Sequence, residues 1–195
     1  MSVLNRRTAL QTLLQDRGDM IVISGLGAPS YDLAACGDDP LDFPLWGAMG
    51  GAAMIGLGLA LAQPARTVLV VTGDGEMLMG MGSLATIAAH QPPNLRIFVL
   101  DNERYGETGQ QRTHTALGTD LAAVARSCGI ATSLTIHRED ELPALRDQLH
   151  TLSAPLFAVL KVADDELPRV LPSRDGAYLT RRLRTALLGS AVDEA

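Results

Sequence analysis

Two segments of the sequence decide the fold: TVLVVTGDGEMLMG at 67–80 and LRIFVLDNERYG at 95–106. Each begins with an apolar run that has the length and branched side chains of a buried strand. Gly73-Asp74-Gly75 follows the first run, and Asp101-Asn102 follows the second. Because the carboxyl ends of parallel strands meet at one edge of a sheet, we expect these polar residues to lie close together.

Similar apolar runs alternate with helical patterns along the chain. This alternation predicts an α/β fold, with a doubly wound, mainly parallel sheet and helices on both faces. No repeat or linker-like stretch divides the sequence, so residues 1–195 are interpreted as a single domain. The predicted strands are Met20–Ser24, Thr67–Thr72, Leu95–Leu100, Ala131–Ile136 and Leu156–Val162. The predicted helices are Leu4–Gln15, Met49–Ala62, Leu78–His90, Asp120–Cys128, Asp140–Leu152 and Asp175–Leu188, the last as a solvated surface helix.

Charge and composition exclude several classes of protein. The 195 residues include 16 Lys and Arg against 22 Asp and Glu, a net charge of −6, so we expect no nucleic-acid partner. Two isolated cysteines and the absence of an apolar leader favour the reducing cytoplasm. The uncharged stretch at 43–65 contains five glycines and two prolines, so we interpret it as a buried loop and helix and expect no membrane span.

The loops after the two deciding strands have the chemistry of a metal–diphosphate site. Asp74 and Asn102, 28 residues apart, offer the hard oxygen ligands that Mg²⁺ prefers. The glycines let a ligand approach the backbone, and the free amides of a following helix would meet a diphosphate. Either loop alone is a common turn, and only the pair at this spacing is specific.

These residues resemble the diphosphate-binding domain of thiamine diphosphate enzymes. The resemblance rests on Gly73-Asp74-Gly75, on Asn102 followed by Tyr105-Gly106, and on Gly47-Ala48-Met49-Gly50, which is similar to the Gly-Ser-Met-Gly segment of that domain. The continuations LMGMGSLATI at 78–87 and GETGQQ at 106–111 are most similar to the sulfopyruvate decarboxylase β subunit and phosphonopyruvate decarboxylase. The strong resemblance covers about residues 43–130.

The resemblance implies a role for each matching residue. Asp74 and Asn102 would bind Mg²⁺ through their side chains, and Arg104 through its backbone carbonyl. The remaining cofactor contacts would come from Gly47, Ala48, Met49, Gly73, Gly75, Glu76, Tyr105 and Gly106. Met49 would also prop the two cofactor rings into a folded conformer, which is its catalytic role. Thr108, Gln111 and His114 are candidates near the substrate. Glu76 departs from the Ser or Ala often found in the family, and its carboxylate would be repelled by the diphosphate unless it points to solvent.

The family places its catalytic glutamate on a separate pyrimidine-binding domain, for which this chain has no room. The resemblance therefore implies a hetero-oligomer in which an α subunit supplies that domain and the glutamate. The implied activity is that of a carboxy-lyase: decarboxylation of a small 2-oxo acid, sulfopyruvate- or phosphonopyruvate-like, with thiamine diphosphate and Mg²⁺ as cofactors.

Three other functions stay open at this point. A carboligase would trap the same intermediate with a second carbonyl compound. A dinucleotide-binding module would use Gly25-Leu26-Gly27, although Ser30 stands where its third glycine belongs. A non-catalytic chain that only stabilises a partner would not need the Asp74–Asn102 pair.

Overall fold

The computed structural model describes residues 4–189. Six strands form one sheet in which every neighbouring pair is parallel, and two short strands form a separate antiparallel hairpin. The strands are β1 (Ile21–Ser24), β2 (Asp42–Pro44), β3 (Val68–Gly73), β4 (Leu95–Asp101), β5 (Arg104–Tyr105), β6 (Gln111–Arg112), β7 (Thr132–Ile136) and β8 (Leu156–Lys161). Their order in the sheet is β2-β1-β3-β4-β8-β7, with β5 and β6 forming the hairpin. The predicted parallel α/β fold is therefore confirmed.

Helices cover the sheet on both faces. They are α1 (Arg6–Leu14), α2 (Ala28–Ala35), α3 (Ala52–Ala62), α4 (Asp74–Met79), α5 (Ser83–His90), α6 (Leu121–Cys128), α7 (Leu142–Thr151) and α8 (Gly176–Leu188). Val68 and Val70 of β3 join a core with α3, α5 and α6, whereas Leu69 and Val71 join a second core with α1 and α7. This alternation follows from the period of two along a strand and explains why the central strands are apolar throughout.

Small residues bring α3 close to the sheet. A Cβ on Gly56 would lie 2.2 Å from the Val70 Cγ2 atom, so a larger residue would force the helix outward. α3 buries Ala52, Ala53 and Leu57 on that side. Residues 43–65 thus form the end of a strand, a loop and a core helix. The helix is as predicted, whereas the loop is largely exposed rather than buried. Within residues 4–189, no helix has the length and apolar character needed to cross a membrane.

Glycines shorten one predicted helix and divide another. The predicted helix Met49–Ala62 begins only at Ala52, because Gly50 has φ +92°, outside the helical region. The predicted helix Leu78–His90 is two helices, α4 and α5, separated at residues 80–82. A Cβ on Gly80 would lie 2.2 Å from the Gly50 carbonyl oxygen. The two breaks therefore face each other, and their backbones are in contact.

The prediction missed α2 and β2, and α8 is only partly a solvated helix. α2 and β2 are short and are separated by glycine, aspartate and proline, so neither shows a clear period. Most of α8 is exposed as expected, but it packs against β2 and buries Leu179 and Leu183. The remaining predicted elements are present, with their ends shifted by at most two residues.

Candidate functional site

A small pocket opens at the carboxyl ends of β3 and β4. Its volume is about 90 Å³, and Asp74, Gly75, Asn102, Tyr105 and Met49 lie in its wall. The structure therefore brings the two predicted loops together at one edge of the sheet. The other predicted site residues in its wall are Gly73, Glu76, Arg104, Gly106 and Thr108. Gly47, Ala48, Gln111 and His114 are exposed and lie outside the wall of this pocket.

Asp74 is the first residue of α4 and is 1% exposed. The Thr115 hydroxyl lies 3.2 Å from the Asp74 Oδ2 atom. Burial raises the pKa of Asp74 to about 6, the nearby charge of Asp101 adds to this shift, and the hydroxyls of Thr113 and Thr115 oppose it. Asp74 is thus a desolvated carboxylate that a cation would stabilise.

A second buried carboxylate stands behind the first. The Thr115 hydroxyl lies 2.8 Å from Asp101 Oδ1 and 2.8 Å from the Thr113 hydroxyl. The Thr115 hydroxyl thus takes part in three oxygen–oxygen contacts, to Asp74, Asp101 and Thr113. The two threonine hydroxyls have only two protons to donate to them. The Lys161 ammonium donates to Asp101 at 2.9 Å and to Glu103 at 2.6 Å, so it balances only part of the negative charge.

The loop after β4 exposes oxygen atoms to the same pocket. The Asn102 side-chain oxygen accepts from the Arg104 amide at 3.1 Å, which fixes its orientation and leaves its second lone pair unused by that bond. The Thr113 amide donates to the Glu103 carbonyl at 3.0 Å. Glu103 and Thr113 therefore form a hydrogen-bonded pair, and the next pair along, Arg104 and Arg112, is a non-hydrogen-bonded one, because the two kinds alternate between antiparallel strands. The Arg104 carbonyl consequently points away from β6.

The oxygen atoms of Asp74, Asn102 and the Arg104 carbonyl fit as ligands of a divalent cation of the Mg²⁺ type. They are one carboxylate, one amide oxygen and one backbone carbonyl, all hard ligands, beside a cluster with excess negative charge. Across residues 4–189, no three His, Cys, Asp or Glu side chains converge as a metal site. A cation would therefore bind through oxygen atoms and share its coordination with an anionic ligand.

Glu76 lies two residues, about half a turn, further along α4, and its carboxylate does not point to solvent. It is 4% exposed, and its carboxylate points into the protein. Its oxygens accept from the Leu26 amide at 3.1 Å and the Ala52 amide at 3.4 Å. Burial raises the pKa of Glu76, and bonds from the Thr72 hydroxyl and from the backbone oppose this shift. Sequence reasoning missed this because amides of distant segments, rather than water, solvate the carboxylate.

Met49 and Tyr105 form the less polar part of the wall. Met49 is 37% exposed and follows Ala48, whose φ of +56° turns the chain toward the pocket. A Cβ on Gly75 would lie 2.6 Å from the Tyr105 ring, so only glycine allows the ring to cover the start of α4. This contact explains why the second glycine of Gly73-Asp74-Gly75 is needed.

Comparison with known proteins identifies this arrangement. Residues 35–162 match the model of the thiamine pyrophosphate enzyme, C-terminal TPP binding domain. The chain belongs to the thiamine pyrophosphate enzymes. The match covers all eleven residues predicted to contact the cofactor. The predicted family is therefore confirmed, whereas the role of each residue stays a prediction.

Sequence relatives of this thiamine pyrophosphate-binding domain include named decarboxylases. The chain is 41% identical to the sulfopyruvate decarboxylase subunit beta of Methanothermobacter thermautotrophicus, across 98% of this chain and 100% of that subunit. It is 41% identical to the phosphonopyruvate decarboxylase of Streptomyces viridochromogenes, across 92% of this chain and 45% of that enzyme. The chain thus spans about half the length of some of the curated relatives it matches.

A solved structure supports the fold of the thiamine pyrophosphate-binding domain. Benzoylformate decarboxylase from Polynucleobacter necessarius superposes with a TM-score of 0.67 over 85% of this chain and 34% of that chain, at 19% identity. At this level of identity the likeness establishes the parallel α/β architecture alone.

Several residues of the pocket were not expected from the sequence. Leu26, Ala28 and Pro29 come from the loop after β1 and the start of α2, an element that the prediction missed. Arg6 reaches the pocket from the start of α1. The signal for the first group was present in Gly25-Leu26-Gly27, which follows a strand at the same sheet edge, but it was interpreted only as a nucleotide fingerprint.

A larger cavity lies elsewhere on the thiamine pyrophosphate-binding domain. It has a volume of about 290 Å³ and lies between α2, β2 and α8. Asp38, Asp42 and Arg182 are its charged residues, and none of the predicted site residues lines it. The Arg182–Asp38 ion pair joins α8 to the loop before β2. This cavity is therefore separate from the predicted metal–diphosphate chemistry.

Proposed function

We propose that this chain is the β-type subunit of a thiamine diphosphate- and Mg²⁺-dependent 2-oxo acid decarboxylase. The observation that supports this best is the meeting of Asp74 and Asn102 in one pocket beside a cluster with excess negative charge. Bound thiamine diphosphate would supply the electron sink that lets a 2-oxo acid lose carbon dioxide. The contribution of this chain is to hold and orient that cofactor.

Each part of the pocket has a distinct task in this proposal. Asp74, Asn102 and the Arg104 carbonyl hold the cation, and the cation holds the diphosphate. Gly75 and Glu76 lie in the wall of the same pocket, in the first turn of α4, where backbone amides have no partner within the helix and would donate to the phosphate oxygens. Met49 borders the pocket on its exposed side and would support the cofactor rings.

We propose that a separate α subunit completes the site. A pocket of about 90 Å³ is well below the roughly 300–1,000 Å³ typical of sites that enclose an organic ligand. Met49, Met79 and Met81 are 37%, 56% and 37% exposed and flank the contact between Gly50 and Gly80. Such an apolar rim beside an incomplete pocket fits a docking partner. The β-subunit relative, which this chain matches over its full length, supports the same division.

The proposed substrate is a small 2-oxo acid with a second anionic group, as in sulfopyruvate or phosphonopyruvate. The support is the names of the relatives, together with the Arg104–Arg112 pair on the hairpin beside the pocket. We place the reaction in the cytoplasm, since the free thiols of Cys36 and Cys128 fit a reducing compartment. We also propose that residues 1–195 act as a single domain, because the described strands of the main sheet share two continuous cores.

Calorimetric titration of thiamine diphosphate tests this proposal. The chain is titrated with and without Mg²⁺, and with and without its candidate α subunit, with Asp74→Ala as the control. We expect Mg²⁺-dependent binding that needs the partner or tightens with it, and loss of this binding in the control. Product analysis with 2-oxo acids then separates an aldehyde from a carboligation product. Absence of binding in every condition would overturn the proposal, and full activity of this chain alone would overturn the α subunit.

A further inference from the structure

One buried cation in the pocket has no role in the family resemblance. Arg6 begins α1 and is 8% exposed. Leu4 forms a parallel bridge with Val162, just after β8, and the Ala163 amide donates to the Leu4 carbonyl at 2.8 Å. This pairing holds the start of α1 at the carboxyl edge of the sheet, where Arg6 and Val162 lie in the pocket wall with Asp74 and Asn102.

The contacts of the Arg6 guanidinium leave one nitrogen for a ligand. Its Nε donates to Asp32 Oδ2 at 2.6 Å, and its Nη1 donates to the Asp165 carbonyl. These two bonds fix the plane of the group. No hydrogen bond joins Nη2 to any part of the chain between residues 4 and 189. A guanidinium held in this way is well suited to bind an oxyanion, because its free donor is already oriented.

The ion pairs of Asp32 leave one positive charge in excess at that carboxylate. Asp32, 0% exposed, is shared by Arg6 and by Arg7, whose Nη2 lies 2.9 Å from Asp32 Oδ1. One carboxylate thus balances two guanidinium groups. Arg104 is the other cationic residue in the pocket wall, and it is paired with Asp164 at 3.1 Å. Arg6 is therefore a buried cation that Asp32 balances only in part, in a wall that also carries the carboxylates of Asp74, Glu76 and Glu107.

We propose that Arg6 is a further ligand of the cofactor diphosphate and donates through Nη2 to a phosphoryl oxygen. This inference rests on the proposed function, because the anion is the one that the Asp74–Asn102 cation would hold. Both groups border one pocket of about 90 Å³, so an anion on the cation lies within reach of Arg6. Arg6 then supplies from α1 the positive charge that offsets the acidic groups of the pocket.

The chain offers a matched control for this residue. Arg7 binds the same carboxylate as Arg6, but it is absent from the pocket wall and donates through Nη2 to the Pro168 carbonyl. Replacing either arginine removes one partner of Asp32. Only replacement of Arg6 removes a side chain of the pocket wall. Comparing Arg6→Gln with Arg7→Gln therefore separates a ligand role from support of Asp32.

The experiment is titration of inorganic diphosphate with Mg²⁺ into the full chain with its partner subunit, for wild type, Arg6→Gln, Arg6→Lys and Arg7→Gln. Circular dichroism first confirms that each variant is folded. A hydrogen bond to a charged group corresponds to about tenfold or more in affinity, so we expect that loss in Arg6→Gln and a change within about threefold in Arg7→Gln. Arg6→Lys keeps the positive charge but not the forked donors of the guanidinium. It is the second variant to test if Arg6→Gln does not fold. We expect an intermediate loss in that variant.

The outcomes distinguish failure of this inference from failure of the proposed function. If wild type binds diphosphate with Mg²⁺ and both Arg6 variants bind it equally well, the inference is wrong and the proposed function stands. Steady-state kinetics of the same variants give a second readout: a rise in the KM of the 2-oxo acid with unchanged diphosphate affinity would make Arg6 a substrate residue and would also overturn the inference. Equal losses in Arg6→Gln and Arg7→Gln would show that both act through Asp32. If wild type does not bind, the proposed function itself fails.

Discussion

Asp74 and Glu76 lie two residues apart in α4 and are both almost fully buried, yet their surroundings differ in kind. Hydroxyl groups and a second carboxylate surround Asp74, whereas backbone amides of two other segments bind Glu76. Because a backbone N–H group can only donate, these amides satisfy the hydrogen-bond acceptors of the Glu76 carboxylate without an added ligand. The surroundings of Asp74 contain more acceptors than protons and favour an added cation. Burial of a carboxylate therefore indicates a ligand site only when its partners leave it short of positive charge.

The largest effect should come from Asp74→Ala. We expect Mg²⁺-dependent binding of thiamine diphosphate to fall by at least about 100-fold, because direct ligands matter more than the outer partners of a metal site. The free energy of unfolding without Mg²⁺ should not fall, because the variant removes a desolvated charge. Calorimetry and urea denaturation measure the two quantities. Normal affinity in the variant would contradict the ligand role.

Glu76→Ala should show the opposite pattern. It leaves the Leu26 and Ala52 amides without their acceptor, so we expect the free energy of unfolding to fall by about 2 kcal/mol. Mg²⁺ affinity should fall less than in Asp74→Ala. Urea denaturation of the two variants side by side tests the comparison directly. If Glu76→Ala were as stable as wild type, the amide bonds would not support the fold.

Thr115→Val tests the hydroxyl side of the comparison. The Thr115 hydroxyl contacts Asp74 and Asp101, and we expect its loss to weaken Mg²⁺ binding by about tenfold or more, as for other outer partners of metal ligands. Thr115→Ser keeps the hydroxyl and serves as the matched control. Titration of Mg²⁺ in the presence of diphosphate gives the affinities. Equal losses in the two variants would point to packing of the threonine methyl group instead.

Acid should weaken cation binding in a range set by Asp74. Burial raises the pKa of this carboxyl to about 6, so it gains a proton on the way from pH 7 to pH 5. The proton competes with Mg²⁺, and we expect the affinity to fall by about tenfold over that interval. An ordinary aspartate, with a pKa of about 3.9, would show no such fall above pH 5. Calorimetry at the two pH values provides the test.

The smallest effect should come from Met49→Ala, on the exposed side of the pocket. The diphosphate contacts survive in this variant, so we expect cofactor affinity to change little. We expect kcat of the assembled enzyme to fall by about fivefold, roughly 1 kcal/mol, because the cofactor rings lose a supporting side chain. Steady-state kinetics with the partner subunit, together with cofactor titration, separates the two. An affinity that fell as steeply as kcat would make Met49 a packing residue.

The sequence is sufficient to predict the parts of the site that follow strands directly. Asp74 and Asn102 lie where apolar runs end, and parallel pairing of β3 with β4 brings them to one edge. It is not sufficient to predict which way Glu76 points, because its partners are amides from residues 26 and 52. The contribution of Arg6 depends on the Leu4–Val162 pairing, which spans most of the chain. Long-range contacts of this kind have no local pattern.

The break between α4 and α5 also depends on a long-range contact. Gly80 alone could lie inside a helix at modest cost, and the sequence around it has an acceptable helical period. The helix ends because Gly80 lies against Gly50, a contact between segments that only the folded chain brings together. α2 and β2 were missed for a different reason. Each is too short to show a clear hydrophobic period, and the nearby glycine and proline indicate a loop instead.

The space around Gly25 ties its evolution to that of Glu76. A Cβ at this position would lie 1.8 Å from the Glu76 Oε2 atom, so any side chain at residue 25 collides with the carboxylate. A side chain at residue 25 therefore requires either a smaller residue at position 76 or a carboxylate that leaves the Leu26 and Ala52 amides. One carboxylate thus couples the residues tolerated at two distant positions, one in the loop after β1 and one in α4.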